Sequence, residues 1–464
     1  MAVKKTDSAR MGEMPEGRLL LSIAVPIMLS MLVQALYNII DSVYVSHVSQ
    51  EGLSALTLAF PAQNIMIGLG TGTGVGVSAL ISRALGSKDG SAAGRIAGTG
   101  LFLGVCYWVL MFLFGLFGTE AFINPQTADP VVRENAYIYL RIITMGSLFL
   151  YIEMLCERML QATGRTNLSM WTQMAGAITN IILDPFFIYG WCGLPAMGTA
   201  GAATATVIGQ GVAAGLGLFF QFRKNPEVRI LRNDFIPRIR IIGGILRIGL
   251  PSILMVSIGS ITNYVMNIIL DSFSQTAVAV YGAYFKIQSF FFMPVYGLNS
   301  GIIPVIGYNY GAGNRDRIYR TIRYGVLYAA AIMAAGTLLF QLIPHLILAI
   351  FKPSAHMLEI GIPALRIISI SFLPAAFCIV TGSACQAMDR SIFSFLTSVL
   401  RQLVVLVPAA YLLSLTGAVQ NVWWAFPIAE VISLIASVFF LRAVLKHMEA
   451  QLARRAAQRA AQEG

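Results

Sequence analysis

Charge is scarce in this 464-residue sequence, and the cysteines are few and unpaired. Only 11% of the residues are Asp, Glu, Lys or Arg, whereas soluble domains average about 25%. Hydrophobic residues make up 57% of the sequence, which excludes an ordinary water-soluble globular protein. The five cysteines are odd in number and show no CxxC spacing, so they predict packing residues and no disulfide framework.

Motifs for catalysis and for nucleotide binding are also missing. The glycine-rich stretch GLGTGTGVG at 68–76 follows no strand and precedes no GK[ST], so it predicts close helix packing instead of a phosphate loop. The four histidines form no HExxH motif, and no Ser/His/Asp set is visible. We therefore predict that the protein is not an enzyme and needs no cofactor. With no Walker motif, an ion gradient and not ATP would drive any transport by this chain.

Long apolar runs are abundant. Each is roughly 20 residues or more, enough to cross a hydrocarbon core of ~30 Å as a helix. These runs predict an all-α integral membrane protein with twelve transmembrane helices, or spans, in contact with the lipid bilayer. The spans are at about 19–46, 55–82, 94–118, 134–160, 168–190, 198–222, 243–270, 277–304, 320–344, 360–386, 392–415 and 422–446.

The second half of the chain repeats the first at an offset of 225 residues. Pro26 falls on Pro251, Phe60 on Phe285, and LRII at 140–143 on LRII at 365–368. Each copy has six spans, an even number, so we predict two lobes related by an axis along the membrane normal, as in parallel-repeat transporters. The predicted segments are an N-terminal segment 1–17, an N-lobe 18–222, a linker 223–240, a C-lobe 241–447 and a tail 448–464.

Basic residues lie mainly on one side of the predicted spans. If the N-terminus is inside, 26 of the 32 Lys and Arg residues fall in inner segments. The positive-inside rule then predicts that both termini are cytoplasmic in a multi-pass cell-membrane protein. The net charge of +11 is thus explained by topology and contact with anionic lipid. No aromatic-basic stacking pattern accompanies it, so binding to nucleic acid is not expected.

The two lobes differ in their intramembrane acids. Asp41 falls on Met266, and Asp184 falls on Ala409. A charged side chain at the centre of a bilayer costs about 2.5 kcal/mol or more, so each acid is functional or is neutralised by a neighbouring backbone group or arginine. Because both acids lie about 9 Å from the outer ends of their spans at 1.5 Å per residue, we predict one polar chamber in the outer half of the N-lobe.

Other polar residues share the faces of these spans. Their helical spacing predicts that they join the same chamber. They are Gln34, Tyr37 and Asn38 in span 1, Asn180 in span 5 and Thr206 in span 6. Pro26 and Pro185 remove backbone donors within spans 1 and 5. They are interpreted either as hinges or as simple kinks of membrane helices.

The sequence resembles the multidrug and toxic compound extrusion (MATE) family. The resemblance rests on PxxxSMLVQALYNIIDSVYV in span 1, SRALG after span 2, QATGR after span 4 and NIILDP in span 5, and it covers about residues 15 to 447. It implies an antiporter that exports amphipathic organic cations against H⁺ or Na⁺. It also implies a coupling-ion site of Asp41, Asn180 and Asp184, lined by Tyr37, Tyr139 and Thr206, with Glu157 facing the cavity. We expect the protein to be a monomer.

The exchange expected from these residues depends on a shared charge. Protons or Na⁺ would neutralise Asp41 and Asp184, and a bound organic cation would then lose its attraction and leave. Spans 7, 8, 10 and 11 contain no acid, so a C-lobe Na⁺ site like that of the norfloxacin-efflux branch is not expected. Glu430 in span 12 is predicted to pair with an interior arginine.

Two other functions stay open from the sequence. A flippase for lipid-linked precursors, built on the same superfamily fold, would need a basic cavity for pyrophosphate. Its candidate cations are Arg141, Lys286, Arg366 and Arg401. A gated channel is the third alternative.

Overall fold

The computed structural model describes residues 8–48, 50–193, 195–351 and 353–463. These residues form helices and contain no strand. The long helices of the first half are α1 Glu16–Val48, α2 Gln50–Gly86, α3 Gly90–Phe117, α4 Pro130–Ala162, α5 Thr166–Tyr189 and α6 Thr199–Lys224. Those of the second half are α7 Ile239–Asp271, α8 Gln275–Ala312, α9 Arg315–Leu342, α10 Ala355–Ser369 with Phe372–Ala387, α11 Ser391–Ser414 and α12 Ala425–Glu463.

Short helices connect or flank the long ones. They are Arg10–Glu13, Thr119–Ile123, Asn124–Gln126, Trp191–Gly193, Arg232–Phe235, Pro344–Ala349 and Val419–Val422. Between the two halves, the chain leaves α6 at Lys224, forms the 3₁₀ turn Arg232–Phe235 and enters α7 at Ile239.

Most of the long helices in the described part of the chain could span a membrane. Ten helices are long and apolar enough to cross a bilayer, and α10, which bends by 46° between its two parts, makes an eleventh. The twelfth is α5, whose 24 residues reach roughly 36 Å at 1.5 Å per residue. Its most apolar stretch is less hydrophobic than those of the other long helices, because it carries Thr, Gln, Asn and Asp side chains. The predicted twelve-helix all-α membrane fold is confirmed.

The predicted repeat is visible where the two lobes meet. Helix α2 packs on α8, and the contact is symmetric. A Cβ atom on Gly86 would overlap the carbonyl oxygen of Tyr308, and a Cβ atom on Gly311 would overlap that of Arg83. Adding 225 to 86 and 83 gives 311 and 308, so each contact is the image of the other. The same rule relates the α2–α7 contact to the α1–α8 contact.

The glycine-rich stretch of α2 serves helix packing, as predicted. Gly72 faces Gly249 and Ile253 of α7, with the carbonyl oxygen of Gly249 2.6 Å from the position of a Cβ. Gly74, on another face, lies against the side chain of Arg158 in α4. Helix α2 therefore contacts both lobes closely, because small residues let backbones approach.

Helix ends carry the residues that cap them. Asp89 begins α3 by accepting a hydrogen bond from the Ala92 backbone N–H, and Asp129 begins α4 by accepting from Val131 and Val132. Gly190 ends α5 with a φ of 76°, a left-handed conformation that glycine adopts without strain. Helix α5 therefore ends shortly after Asp184 and Pro185, which are buried inside the bundle.

The N-terminal segment closes one end of the bundle. Met11 is fully buried, and its carbonyl oxygen accepts hydrogen bonds from Asn309 in α8 and Arg317 in α9. The carboxylate of Glu16 lies 3.3 Å from Arg317 and 3.8 Å from Arg320. The first residues of the N-lobe are thus bound to C-lobe helices at the end of the bundle that carries the termini.

Candidate functional site

A cavity of about 630 Å³ lies in the N-lobe among α1, α2, α4, α5 and α6. It contains most of the polar residues that the sequence placed in one chamber. Those that line it are Gln34, Tyr37, Asp41, Tyr139, Glu157, Asn180 and Thr206. The sequence predicted contributions from α1, α4, α5 and α6; α2 adds further polar groups to the walls.

Asp184 lies behind this wall and does not line the cavity. Its side chain is fully buried, and the amide of Asn180 connects it to Thr206. In the amide orientation that satisfies both neighbours, the Asn180 nitrogen donates to Asp184 Oδ2 at 3.2 Å. The Asn180 oxygen accepts from Thr206 Oγ1 at 3.3 Å. Asn180 and Asp184 meet because i and i+4 share one helix face, as the sequence indicated.

Asp41 faces the cavity from α1. It is 9% exposed, and its Oδ1 atom has no hydrogen-bond partner among the described residues. It lies close enough to Asp184 for a direct electrostatic interaction. The two acids are therefore near one another, with Asp41 on the cavity wall and Asp184 buried behind it. Asn38 belongs to α1, but its side chain lies outside the described part of the structure.

Two tyrosines lie near the acids in the cavity wall. Tyr37 lines the cavity together with Thr206, and it lies in the electrostatic field of both Asp41 and Asp184. Tyr139 is buried and accepts a hydrogen bond of 3.1 Å from Gln63 Nε2. Both tyrosines thus occupy the predicted position beside the acids.

Helix α4 contributes a second acidic pair. Glu157, which the sequence predicted, and Glu153, which it did not, both line the cavity and lie in each other's electrostatic field. Their i, i+4 spacing in IEMLCERM was the signal for a shared face. Arg158 lies next to them and donates hydrogen bonds to Gln161 at 3.3 Å and to Ser300 of the C-lobe at 3.0 Å.

The two predicted hinge prolines are buried within continuous helices. Pro26 is in the first half of α1, and Pro185 follows Asp184 directly in α5. Each leaves one carbonyl of the preceding turn without its helical donor. Whether either proline acts as a hinge stays a prediction.

The C-lobe has its own cavity of about 580 Å³, which contains the predicted pair of Glu430 with an interior arginine. Arg401 Nη1 donates to Glu430 Oε1 at 3.2 Å, so this prediction is confirmed. The other interior cations considered for a pyrophosphate site do not line either cavity. Arg141 packs on the ring of Tyr137 at 5.7 Å, and Lys286 and Arg366 are exposed on the bundle surface.

A family model described as MatE matches the chain twice, at residues 26–186 and 251–412. The two matches together cover more than half of the chain. Their starting points are 225 residues apart, the same offset as the internal repeat.

Curated relatives and solved structures match over nearly the full length. A protein named "Multidrug export protein MepA" from Staphylococcus saprophyticus is 25% identical over 92% of this chain and 95% of its own length. The protein of the same name from Staphylococcus aureus is also 25% identical, over 92% and 94%.

Two solved structures superpose closely. One is described as an outward-facing multidrug resistance MATE family transporter of the MOP superfamily. It is 26% identical, with a TM-score of 0.91 over 97% of this chain and all of its own. A MOP superfamily transporter from Pyrococcus furiosus, described as having a binding pocket of reverse polarity, is 26% identical with a TM-score of 0.90 over 96% of this chain.

Proposed function

Since the chain belongs to the MatE family of transporters, we propose that it is a secondary active multidrug exporter that moves amphipathic organic cations out of the cell in exchange for H⁺ or Na⁺. The observation that carries this proposal is the N-lobe cavity, in which Asp41 and Glu157 line a space backed by the buried Asp184. The names of the Staphylococcus relatives support multidrug export.

The cavity fits such a substrate in size and character. Its volume of about 630 Å³ lies within the range of roughly 300–1,000 Å³ that small-molecule sites occupy. Apolar side chains form much of the wall, among them Phe60, Met66, Ile67 and Met154. Methionine is flexible and polarisable, so such walls can repack around molecules of different shape. The acids supply attraction for positive charge, and the apolar walls supply the rest of the affinity.

Exchange follows from competition for the same carboxylates. A lipophilic cation is attracted while Asp41 and Asp184 are negatively charged. When H⁺ or Na⁺ neutralises them, the organic cation loses this attraction and leaves. Asn180 binds Asp184 within α5, and Thr206 of α6 binds the Asn180 amide in turn, so Asp184 is held through Asn180. A coupling ion can shift the transporter between its inward-open and outward-open conformations only if it binds one conformation more tightly than the other.

Gradient-resolved transport of ethidium in proteoliposomes tests the proposal. We expect the wild type to move the dye when a pH or Na⁺ gradient is imposed, and we expect Asp41→Asn and Asp184→Asn to lose this response while staying folded. Asp271→Asn is the matched control, because Asp271 is exposed at the end of α7, away from the cavity. Dye movement that ignores both gradients would contradict antiport, and full activity of both N-lobe variants would contradict the role of the carboxylates.

We also propose that the protein acts as a monomer with both termini in the cytoplasm. The 26 basic residues on one side of the spans support the orientation. Cys192 is exposed in the short helix after α5, which this orientation places outside the cell. A membrane-impermeant maleimide should therefore label intact cells at Cys192, and Cys192→Ser should remove that label. Labelling of Cys192 only in opened cells would reverse the topology.

A further inference from the structure

The C-lobe cavity has a charge balance opposite to that of the N-lobe cavity. Among the described residues that line it, the charged ones are Arg158, Arg401 and Glu430, two cations against one anion. The N-lobe cavity has Asp41, Glu153 and Glu157 against the same Arg158. Arg158 lines both cavities because it lies where the N-lobe cavity and the C-lobe cavity meet. A ligand that is attracted to one cavity by charge would thus be repelled by the other.

The ion pair of the C-lobe leaves much of its bonding capacity unused. Arg401 and Glu430 are joined by one hydrogen bond, from Nη1 to Oε1, at 3.2 Å. The second carboxylate oxygen of Glu430 is buried and has no hydrogen-bond partner among the described residues. A guanidinium has five N–H donors in a planar fork that matches a carboxylate in two-point contact. Arg401 therefore retains donors for a second, incoming carboxylate.

The pair is not a requirement of the repeated architecture. At the offset of 225 residues, Arg401 corresponds to Gly176 and Glu430 to Ala205, so the N-lobe forms the corresponding spans without either charge. Arg401 also lies in the π-helical stretch Leu400–Leu406, whereas the corresponding part of α5 is regular α-helix. Such π segments inside α-helices occur frequently at functional sites.

Aromatic rings form the wall next to the ion pair. Tyr281 and Tyr284 stack with their ring centroids 6.2 Å apart, and Phe426 contacts both rings at 6.1 Å. Tyr296 lies in the electrostatic field of Arg401 and Glu430. A planar apolar body placed on these rings would bring an attached carboxylate toward the guanidinium.

We propose that the C-lobe cavity is a second binding site, which takes small aromatic carboxylates through the guanidinium of Arg401. Glu430 holds this guanidinium in the empty site, and the ligand's carboxylate competes with it for the same donors. The cavity volume of about 580 Å³ accommodates a drug-sized molecule. The site does not depend on the coupling role proposed for the N-lobe acids, and it takes ligands of the opposite charge.

Binding of 2-naphthoate to the purified full-length protein in lipid nanodiscs, followed by titration calorimetry, tests this site. The neutral analogue 2-naphthamide should bind more weakly than 2-naphthoate to the wild type. Glu430→Gln removes the internal competitor, so 2-naphthoate should bind about 10-fold more tightly, a gain of ~1.4 kcal/mol. Arg401→Met combined with Glu430→Met removes both charges without leaving either uncompensated. It should weaken 2-naphthoate binding by about 10- to 100-fold.

Two controls separate recognition from general effects. Arg366→Met removes an arginine from the same lobe but from outside the cavity, and it should leave the affinity for 2-naphthoate unchanged. Asp271→Asn should also leave it unchanged, since Asp271 is exposed at the end of α7 and lines neither cavity. The proposal is overturned if Glu430→Gln gives no tightening, if the doubly substituted protein binds as well as the wild type, or if the wild type does not bind 2-naphthoate up to its solubility limit.

Discussion

The two lobes have the same six-helix plan but opposite chemistry in their cavities. The N-lobe presents Asp41, Glu153 and Glu157 to its cavity and keeps Asp184 behind Asn180. The C-lobe presents the Arg401–Glu430 pair and a cluster of aromatic rings. The corresponding positions are Asp41 with Met266, Asp184 with Ala409, Gly176 with Arg401 and Ala205 with Glu430.

This difference shows that the packing of the helices and the chemistry of the cavities are specified by separate residues. We call the packed helices the frame. The frame depends on close contacts between the lobes, such as those of Gly86 with Tyr308 and Gly311 with Arg83. Both copies retain these contacts because any side chain there would overlap a backbone carbonyl. Side chains that point into a cavity meet no such constraint, so a few exchanges reverse the charge of one cavity while both lobes keep the six-helix plan.

The largest effect that would sharpen the comparison is expected from the N-lobe acids. Asp184→Asn should reduce gradient-driven dye export by about 100-fold or more, and adding Asp41→Asn should reduce it little further, because residues that act as a unit are not additive. Initial rates in proteoliposomes at matched protein amounts measure this. Losses that multiply in the double variant would mean that the two acids act independently.

For the C-lobe ion pair, we expect the second substitution to restore what the first one loses, and the quantity affected is the stability of the protein. Arg401→Met alone leaves Glu430 without its partner and should cost about 2–3 kcal/mol. A fully buried pair would cost more, ~3–5 kcal/mol, but the Arg401 side chain is 24% exposed. Substituting both residues by Met should restore most of this loss. Thermal unfolding of the wild type, the single variant and the double variant in detergent measures these differences, and Arg366→Met is the control. Equal melting temperatures for the single and double variants would contradict it.

A smaller effect is expected where the N-lobe has glycine in place of Arg401. A Cβ on Gly176 would lie 2.9 Å from Ala213 Cβ and 3.1 Å from the carbonyl oxygen of Gly209, where α5 and α6 pack together. Gly176→Ala should destabilise the protein by about 1–2 kcal/mol through overpacking. Gly215→Ala in α6 is the matched control, because a Cβ added there would meet no atom within 4 Å. If both variants unfold at the same temperature, the close approach of these helices is not needed.

The smallest effect is expected from one hydrogen bond of the N-lobe wall. Tyr139→Phe removes the hydroxyl that accepts from Gln63 at 3.1 Å and leaves the ring in place. Gln63 and Tyr139 both line the cavity, so without this bond the wall has to be ordered when ethidium binds. A net hydrogen bond is worth about 0.5–1.5 kcal/mol, which sets the expected rise of the ethidium Kd at no more than about 2- to 10-fold. Binding of 2-naphthoate in the C-lobe should not change. Fluorescence titration of ethidium measures the first effect, and an unchanged Kd would remove Tyr139 from the site.

Much of the N-lobe site could be predicted from helical spacing alone. Asn180 and Asp184 share a face by their i, i+4 separation, and the structure joins them as expected. The contact of Gln63 with Tyr139 could not be predicted, because the two residues are 76 positions apart and belong to different helices. The position of Asp184 behind the cavity wall was also missed, since spacing does not define how far a helix is rotated about its own axis.

The sequence by itself determined the membrane-spanning helices, the repeat and the location of the intramembrane acids in the first half. The reason is physical: hydrocarbon requires each segment to satisfy its own backbone groups, so composition over about 20 residues is sufficient to define a span. Only the tertiary structure decided which side chains meet across helices, as in the identity of Arg401 as the arginine that pairs with Glu430. Such contacts depend on helix rotation and on packing between segments distant along the chain, and neither is encoded in local spacing.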